Sequence, residues 1–160
     1  MKFLKIVALT VFLALVYLGG DLIANNAAFI NTPGPFKRIH VYFTLNRAWT
    51  TGGYPLPEVS SQIFYGDPDK LIANITHSIG SFSGWRIEKT TPGHLVVRVQ
   101  PSFWHHASRL DVTLSPVRGG LRMDMTATSR SGFPDLGADR NYILNLFHEI
   151  GDENAIHPPV

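Results

Sequence analysis

Hydrophobic and polar positions divide the chain into stretches of different period. The first has no period at all. Lys2 and Lys5 precede an uncharged run from Ile6 to Gly20 that carries Val7, Leu9, Val11, Phe12, Leu13, Leu15, Val16 and Leu18, and Asp21 is the first acidic residue. A basic start ahead of an apolar run directs a chain to a membrane. Counted from Phe3 to Ile23, with Lys5 snorkelling to one interface and Asp21 close to the other, the segment reaches the ~20 residues that a spanning helix needs. A cleaved signal peptide needs an A-x-A-like site, and Ala24-Asn25-Asn26-Ala27-Ala28 offers no clean one. Residues 1–24 therefore read as a signal-anchor. The positive-inside rule keeps the N-terminus in the cytoplasm and puts the rest on the periplasmic or lumenal side.

From residue 67 onward the periods are regular. Asp67-Pro68 is a helix start, an N-cap followed by proline at the first helical position. Leu71, Ile75, Ile79 and Phe82 then share one helical face, and Gly84 supplies the stop. The period switches to two. Trp85 to Thr90 reads as a strand turned by Pro92-Gly93, and His94 to Gln100 follows with Leu95, Val97 and Val99 on one face. In Arg109 to Ser115, Leu110, Val112 and Leu114 alternate with Arg109, Asp111, Thr113 and Ser115. After Arg118-Gly119-Gly120, Leu121, Met123, Met125 and Ala127 alternate with Arg122, Asp124, Thr126 and Thr128. Period-two runs joined by short turns predict an antiparallel sheet with one apolar and one polar face. A last helix is predicted from Ala138 to Ile150, with Ile143, Phe147 and Ile150 inward and Gly151 closing it; Asp152 to Val160 reads as an extended tail. The fold class expected is α+β: a single transmembrane helix, then a sheet of three to five strands against two helices.

Residues 25–66 fit neither pattern. Ile39 to Leu45 alternates well enough for a short strand. The remainder is rich in proline and glycine, and it is aromatic, with Phe36, Tyr42, Phe43, Trp49, Tyr54, Phe64 and Tyr65. A flexible tether would be mostly glycine, serine and charge. Two readings stay open. The segment wraps the domain and completes its core, or it lies along the membrane or a neighbouring subunit. In the second reading Phe36, Tyr42, Trp49, Tyr54, Phe64 and Tyr65, with Phe103 and Trp104, are the contact residues.

Composition narrows the function classes. The chain has 160 residues, 44% of them hydrophobic and only 16% charged, with no cysteine and a formal net charge of +2. Low charge suits a protein in contact with lipid or a partner. The absence of cysteine excludes disulfides, thiolate metal sites and a cysteine nucleophile. A small, interleaved charge gives no field for nucleic acid.

The run Met123-Asp124-Met125-Thr126-Ala127-Thr128-Ser129-Arg130-Ser131-Gly132-Phe133-Pro134-Asp135-Leu136-Gly137-Ala138-Asp139-Arg140-Asn141-Tyr142-Ile143 resembles the signature of an uncharacterised family, domain of unknown function 1499, which reads approximately D-V-R-S-x-S-R-x-G-x-x-D-L-G-x-N-x-x-R-I. Asp124, Ser129, Arg130, Gly132, Asp135, Leu136, Gly137 and Ile143 match. Thr126 and Ala127 stand where the family has Arg-Ser, Asp139 replaces its Asn, and Tyr142 its second Arg. The upstream Asp-Asp pair is Ser108-Arg109 here, and the early Asn-Cys segment is absent. The helix and strand order from Asp67 onward is compatible with the family. Its members occur in bacteria and chloroplasts without an established activity, so the resemblance implies a domain and no mechanism.

The same residues have a direct physical reading. Gly132 and Gly137 permit unusual backbone angles, Asp135 suits a helix cap or a pair with Arg130, and Asp139 suits the helix dipole. This is a turn locked by hydrogen bonds, or a polar site in which Ser129, Arg130 and the helix N-terminus hold an anion. Asp124, Ser129, Arg130, Gly132, Asp135 and Gly137 are accordingly the candidate site. Arg98, Asp111, Arg122 and Asp124 read as cross-strand pairs in water. Arg86, Arg98 and Arg109 make no nucleic-acid stripe, because acidic residues interleave. His105-His106 and His148-Glu149 lack metal-ligand spacing, and there is no G-x-S-x-G, P-loop or G-x-G-x-x-G. No cofactor, metal or catalytic set is expected.

Three functions compete. The first is a non-catalytic accessory subunit, docked through the anchor and the aromatic segment on an integral membrane protein complex of a bacterial inner or photosynthetic membrane. The second is a membrane-tethered binding module for a lipid or other apolar ligand. The third, a hydrolase or transferase using Asp135, Arg130 and a histidine, needs a convergent pocket with a strongly shifted carboxylate.

Overall fold

A computed structural model describes residues 2–100 and 107–153, and the backbone alone for 152 and 153. Phe103, Trp104, His105, His106 and the tail beyond residue 153 lie outside the described residues.

The apolar N-terminal run forms one helix, α1 (Lys2–Ala24), none of whose residues is buried. It is long and apolar enough to cross a membrane. Both a membrane anchor and a signal sequence have this form.

The alternating runs form a six-stranded antiparallel sheet. Its strands are β1 (Arg47–Trp49), β2 (Gln62–Tyr65), β3 (Trp85–Thr91), β4 (His94–Val99), β5 (Ser108–Val117) and β6 (Gly120–Ser129). The order is β1-β6-β5-β4-β3, with β2 also on β6. Leu95, Val97, Val99, Leu110, Val112, Leu114, Leu121, Met123, Met125 and Ala127 all bury on one face, as their alternation predicts. Two helices cover that face, α3 (Pro68–Ser81) and α4 (Ala138–Glu153). Asp67 caps α3 by accepting from the Asp69 amide at 2.9 Å, and Leu71, Ile75 and Ile79 point into the core. From α4 come Tyr142, Ile143, Leu146, Phe147 and Ile150. Gly151 does not end α4, which continues to Glu153.

The largest departure from the sequence pattern lies upstream. Residues 39–45 are not a strand. They belong to a helix, α2 (Pro35–Thr44), which proline starts at its first position after Gly34. Helical spacing gathers Arg38, Val41 and Tyr42 on the inner side, a grouping that the apolar alternation of Ile39, Val41, Phe43 and Leu45 conceals. Nor is the rest irregular. β1 and β2 both pair with β6, Arg47 opposite Thr128 and Phe64 opposite Leu121. They are two halves of one edge strand, interrupted by an excursion over residues 51–61. Thr50 bridges the break: its amide donates to Met125 O at 2.9 Å and its hydroxyl accepts from Met125 N at 2.8 Å. Gly120 is required where β2 crosses, because a Cβ there would lie 2.0 Å from Phe64 O. Two strands of the sheet thus come from the segment set apart on composition.

A second, small core forms where α1 meets the domain. Val41, Tyr42 and Leu56 are buried together, with Leu22, Ala27, Phe29, Leu45 and Tyr54 packed around them. Phe29 meets Tyr42 edge to face at 5.6 Å. The end of α1 is therefore seated on the domain.

Candidate functional site

The connection from β6 to α4 builds the most developed polar site. Asp135 caps α4: its carboxylate accepts from the Gly137 amide at 3.0 Å and the Asp139 amide at 2.8 Å. This occupies the free N–H groups that would otherwise attract an anion. Leu136 adopts φ +52°, a costly angle for a side chain of its size, and the backbone carbonyls of Asp135 and Leu136 accept from Asn25 Nδ2 at 3.4 and 3.3 Å. Gly137, at φ +87°, passes under Tyr42, whose ring would lie 3.1 Å from any Cβ there. The first residue after α1 and the first turn of α4 are joined at this point.

Behind the cap lies Asp139, with 0% of its surface exposed. Neither carboxylate oxygen has a hydrogen-bond partner of good geometry among the described residues. Burial, then the neighbouring Asp135 carboxylate, pushes its pKa up to about 8; the nearby Ser108 hydroxyl and Ser129 backbone only moderate this. Burial raises Asp135 as well, against the backbone hydrogen bonds that favour its charge. The pair titrates as a unit. Asp135, holding two amides, keeps the charge, and Asp139 keeps the proton at neutral pH. The helix-dipole role expected for Asp139 is thus corrected: desolvation outweighs an effect worth at most ~2 kcal/mol. The hydroxyls of Tyr142 and Ser108 are also buried without a partner among the described residues. Burial and the Asp139 and Asp135 charges raise the Tyr142 pKa.

A cavity of about 260 Å³ opens in front of this cluster. Tyr17, Leu18 and Asp21 of α1 form one wall; Phe43, Ser108, Ser129, Pro134, Asp135, Leu136 and Ala138 form the other. Its lining is mostly apolar; Ser108 contributes to it, but the Ser108 hydroxyl is buried beneath that surface, near Asp139. A serine becomes a nucleophile beside a base. Here its neighbour is a protonated acid, so the arrangement offers hydrogen bonds rather than bond making. Arg130, needed by the catalytic reading, is exposed.

The six candidate residues divide. Ser129 and Asp135 come together at the cavity, and Gly137 lies beside it under the Tyr42 ring. Gly132, at φ +72°, shapes the preceding turn. Arg130 pairs with no acid among the described residues, and Asp135 is a cap rather than its partner. Asp124 lies about 17 Å along β6 from Ser129 and on the opposite face, salt-bridged to Arg122 at 3.0 Å and accepting a short hydrogen bond from the Ser61 hydroxyl. The polar-face pairs are cross-strand only in part. Asp111 on β5 meets His94 on β4 at 3.4 Å, but Arg122 to Asp124 and Arg109 to Asp111 run along single strands, and Arg98 faces Arg86 and Arg109 rather than an acid. The aromatic contact residues divide too. Tyr42 and Phe64 are buried, at 0% and 8% exposure, and cannot meet a partner. Trp49 and Tyr54 are half-buried and pack edge to face at 5.0 Å. Phe36 and Tyr65 are exposed.

Sequence reasoning missed one constellation entirely. Arg38 and Arg140, 1% and 5% exposed, converge on Glu58. Arg38 donates to both Glu58 oxygens at 2.8 Å, to Tyr42 Oη at 3.1 Å, to Asn31 O at 2.9 Å and to Thr32 O. Arg140 donates to Glu58 Oε1 at 2.7 Å and to Asn26 O at 3.2 Å. Burial raises the Glu58 pKa, but hydrogen bonds from both arginines outweigh it and hold the carboxyl below its usual range. The network ties α2, the 51–61 excursion, α4 and the end of α1 together. Only the Gly34-Pro35 helix start could have hinted that Arg38 shares a face with Tyr42. No known family model matches the chain, and no curated protein matches it.

Proposed function

We propose that the chain is a membrane-tethered binding module that holds a lipid or similarly amphipathic molecule in the cavity between α1 and the domain. The carrying observation is that cavity: about 260 Å³, mostly apolar, with one wall made by Tyr17, Leu18 and Asp21 and Phe43, Leu136 and Ala138 in the other. Tyr17 lies ~10 Å below the end of α1 at 1.5 Å per residue. With α1 spanning the bilayer, the cavity mouth sits among the headgroups, where an amphipathic molecule already resides. An apolar tail meets Leu18, Phe43 and Leu136, and a polar head meets the polar part of the lining at Asp21 and Asn25.

The outer side of α2 supports the same placement. Phe36, Ile39 and Phe43 face outward, Phe36 at 89% exposure, and Ile30 nearby is 91% exposed. A helix with its apolar side outward and Lys37 and His40 beside it suits the membrane interface. Lys2 and Lys5 orient the N-terminus to the cytoplasm and the domain to the periplasmic or lumenal side of a bacterial inner or photosynthetic membrane. The same exposed face favours the second reading, an accessory subunit of an integral membrane complex, with α2 rather than the buried Tyr42 and Phe64 as the docking element. The family resemblance adds a domain type to either reading and no ligand.

The test uses the full chain extracted from native membranes in mild detergent and weighed intact by native mass spectrometry. The expected result is a chain retaining residues 1–24 with one lipid-sized adduct, lost in Leu18→Trp, which fills the cavity. A lipid-free chain in a stoichiometric complex with other proteins overturns the binding reading in favour of the subunit. A chain cut near residue 24 overturns both.

A further inference from the structure

The polar face of the sheet carries a feature that neither reading uses. Arg86 on β3 stands directly opposite Arg98 on β4, and Arg98 opposite Arg109 on β5. Directly paired residues point to the same face with Cβ atoms about 5 Å apart, and like charges so placed repel. Arg109 is neutralised: its guanidinium donates to both Asp111 oxygens at 2.9 and 2.8 Å. Arg86 and Arg98 have no acidic partner within salt-bridge distance among the described residues. Arg86 is exposed and Arg98 half-buried. The Arg98 Nε is itself buried without a hydrogen-bond partner among the described residues. Between the two lies a cleft of about 340 Å³ lined by Gly84, Arg86, Arg98 and Gln100.

A folded domain gains nothing from two unpaired guanidiniums in register and an unsatisfied buried N–H. An anion in the cleft offsets the repulsion between the two guanidiniums. Guanidinium groups present forked donors that match phosphate oxygens. We propose that the cleft between Arg86 and Arg98 binds a phosphate group, supplied by a lipid headgroup or by a free phosphate. The site is separate from the cavity beside α1. It lies on the opposite face of the sheet, yet at the same end, since the Arg98–Arg109 pair is one residue in from the Val99–Ser108 pair and Ser108 lines that cavity. That end holds the seat of α1, which places lipid phosphates within reach.

The experiment takes the full chain in detergent and follows its unfolding midpoint as inorganic phosphate is added at constant ionic strength. A parallel arm uses nanodiscs of phosphatidylcholine with or without phosphatidylglycerol, and counts anionic lipids retained in native mass spectrometry. Arg86 is exposed, so Arg86→Gln keeps the fold; Arg98→Gln is expected to unfold no lower than the parent without phosphate, because it relieves repulsion. Each is expected to weaken phosphate binding about fivefold, and the pair about 25-fold. A phosphate response lost in the variants supports a free-phosphate source, and phosphatidylglycerol retention lost in the variants supports a headgroup source. The proposal is overturned by no response to either probe, or by a response that Arg86→Gln and Arg98→Gln leave unchanged.

Discussion

The sheet with α3 and α4, and the collar formed by the small Val41-Tyr42-Leu56 core and the Glu58 ion network that seats α1, are two regions packed by opposite means. In the first, aliphatic and aromatic side chains meet across alternating strands, and the buried polar groups are few, gathered at the Asp139 end. In the second, two buried arginines converge on the half-buried Glu58 beside Tyr42, Leu56 and backbone carbonyls. Apolar packing tolerates local change in proportion to the volume lost. A buried ion network tolerates apolar replacement of the whole set, but not the loss of one member. The collar is therefore the more brittle region, and it is the one that positions the membrane helix against the cavity.

The sharpest way to break the comparison is Glu58→Ala. It strands Arg38 and Arg140 in a buried site, and the expected loss is about 3–5 kcal/mol in denaturant unfolding of the full chain in detergent. Replacing Arg38, Glu58 and Arg140 together by methionine, leucine and methionine is expected to restore most of that loss. If the triple variant is as unstable as the single one, stranded charge is not the cause.

Next comes Leu146→Ala in the sheet core, where the residue is fully buried. It is expected to cost about 3 kcal/mol by the same measurement. Hydrogen exchange is expected to rise through the sheet and α4 and to spare α2. An equal rise in both regions would show that collar and core unfold as one unit.

The two carboxylate sites respond to pH with opposite sign. Asp139 holds its proton in the folded state up to about pH 8, whereas the unfolded chain releases it near pH 4. Its contribution to stability is complete below about pH 4 and is lost as pH rises toward about pH 8. Glu58 is held below its usual range, so its contribution is present above about pH 4 and is lost in acid. Between pH 5 and pH 8 the chain is expected to lose on the order of 2 kcal/mol, less than the full linkage because Asp135 shares the proton. Asp139→Asn is expected to flatten that slope. A slope unchanged in the variant would assign the proton elsewhere.

The smallest effect expected is that of Asp135→Ala, which removes the α4 cap at a cost of about 1 kcal/mol. It also removes the charge that, after burial, raises Asp139 most. The Asp139 carboxyl resonance is then expected to titrate below about pH 8. A resonance that does not move would make burial the whole cause.

Much of the fold was legible because it is local. Hydrophobic period, the Asp67-Pro68 cap and the turn glycines mark α1, α3, α4 and β3 to β6 without reference to any distant residue. The helix over 35–44 was not legible, because the seven alternating residues 39–45 satisfy a strand template while a helix start four residues before them decides otherwise. Nor was the membership of β1 and β2 in the sheet, since short strands acquire their meaning from the β6 edge they complete. Of the candidate site, the Asp135 cap and the glycines follow from the turn itself. The proton on Asp139 does not, because it depends on burial by residues far along the chain.

Local pattern dictates a helix able to cross a membrane and an α+β domain whose sheet buries one face. Folding is needed to bring Glu58 to Arg38 and Arg140, to set Ser108 in the lining of a cavity walled by α1, and to align Arg86, Arg98 and Arg109 in one row. The physical reason is range. Period and capping are set by residues within a turn of one another, whereas desolvation and charge pairing belong to whatever the folded chain brings within a few ångströms.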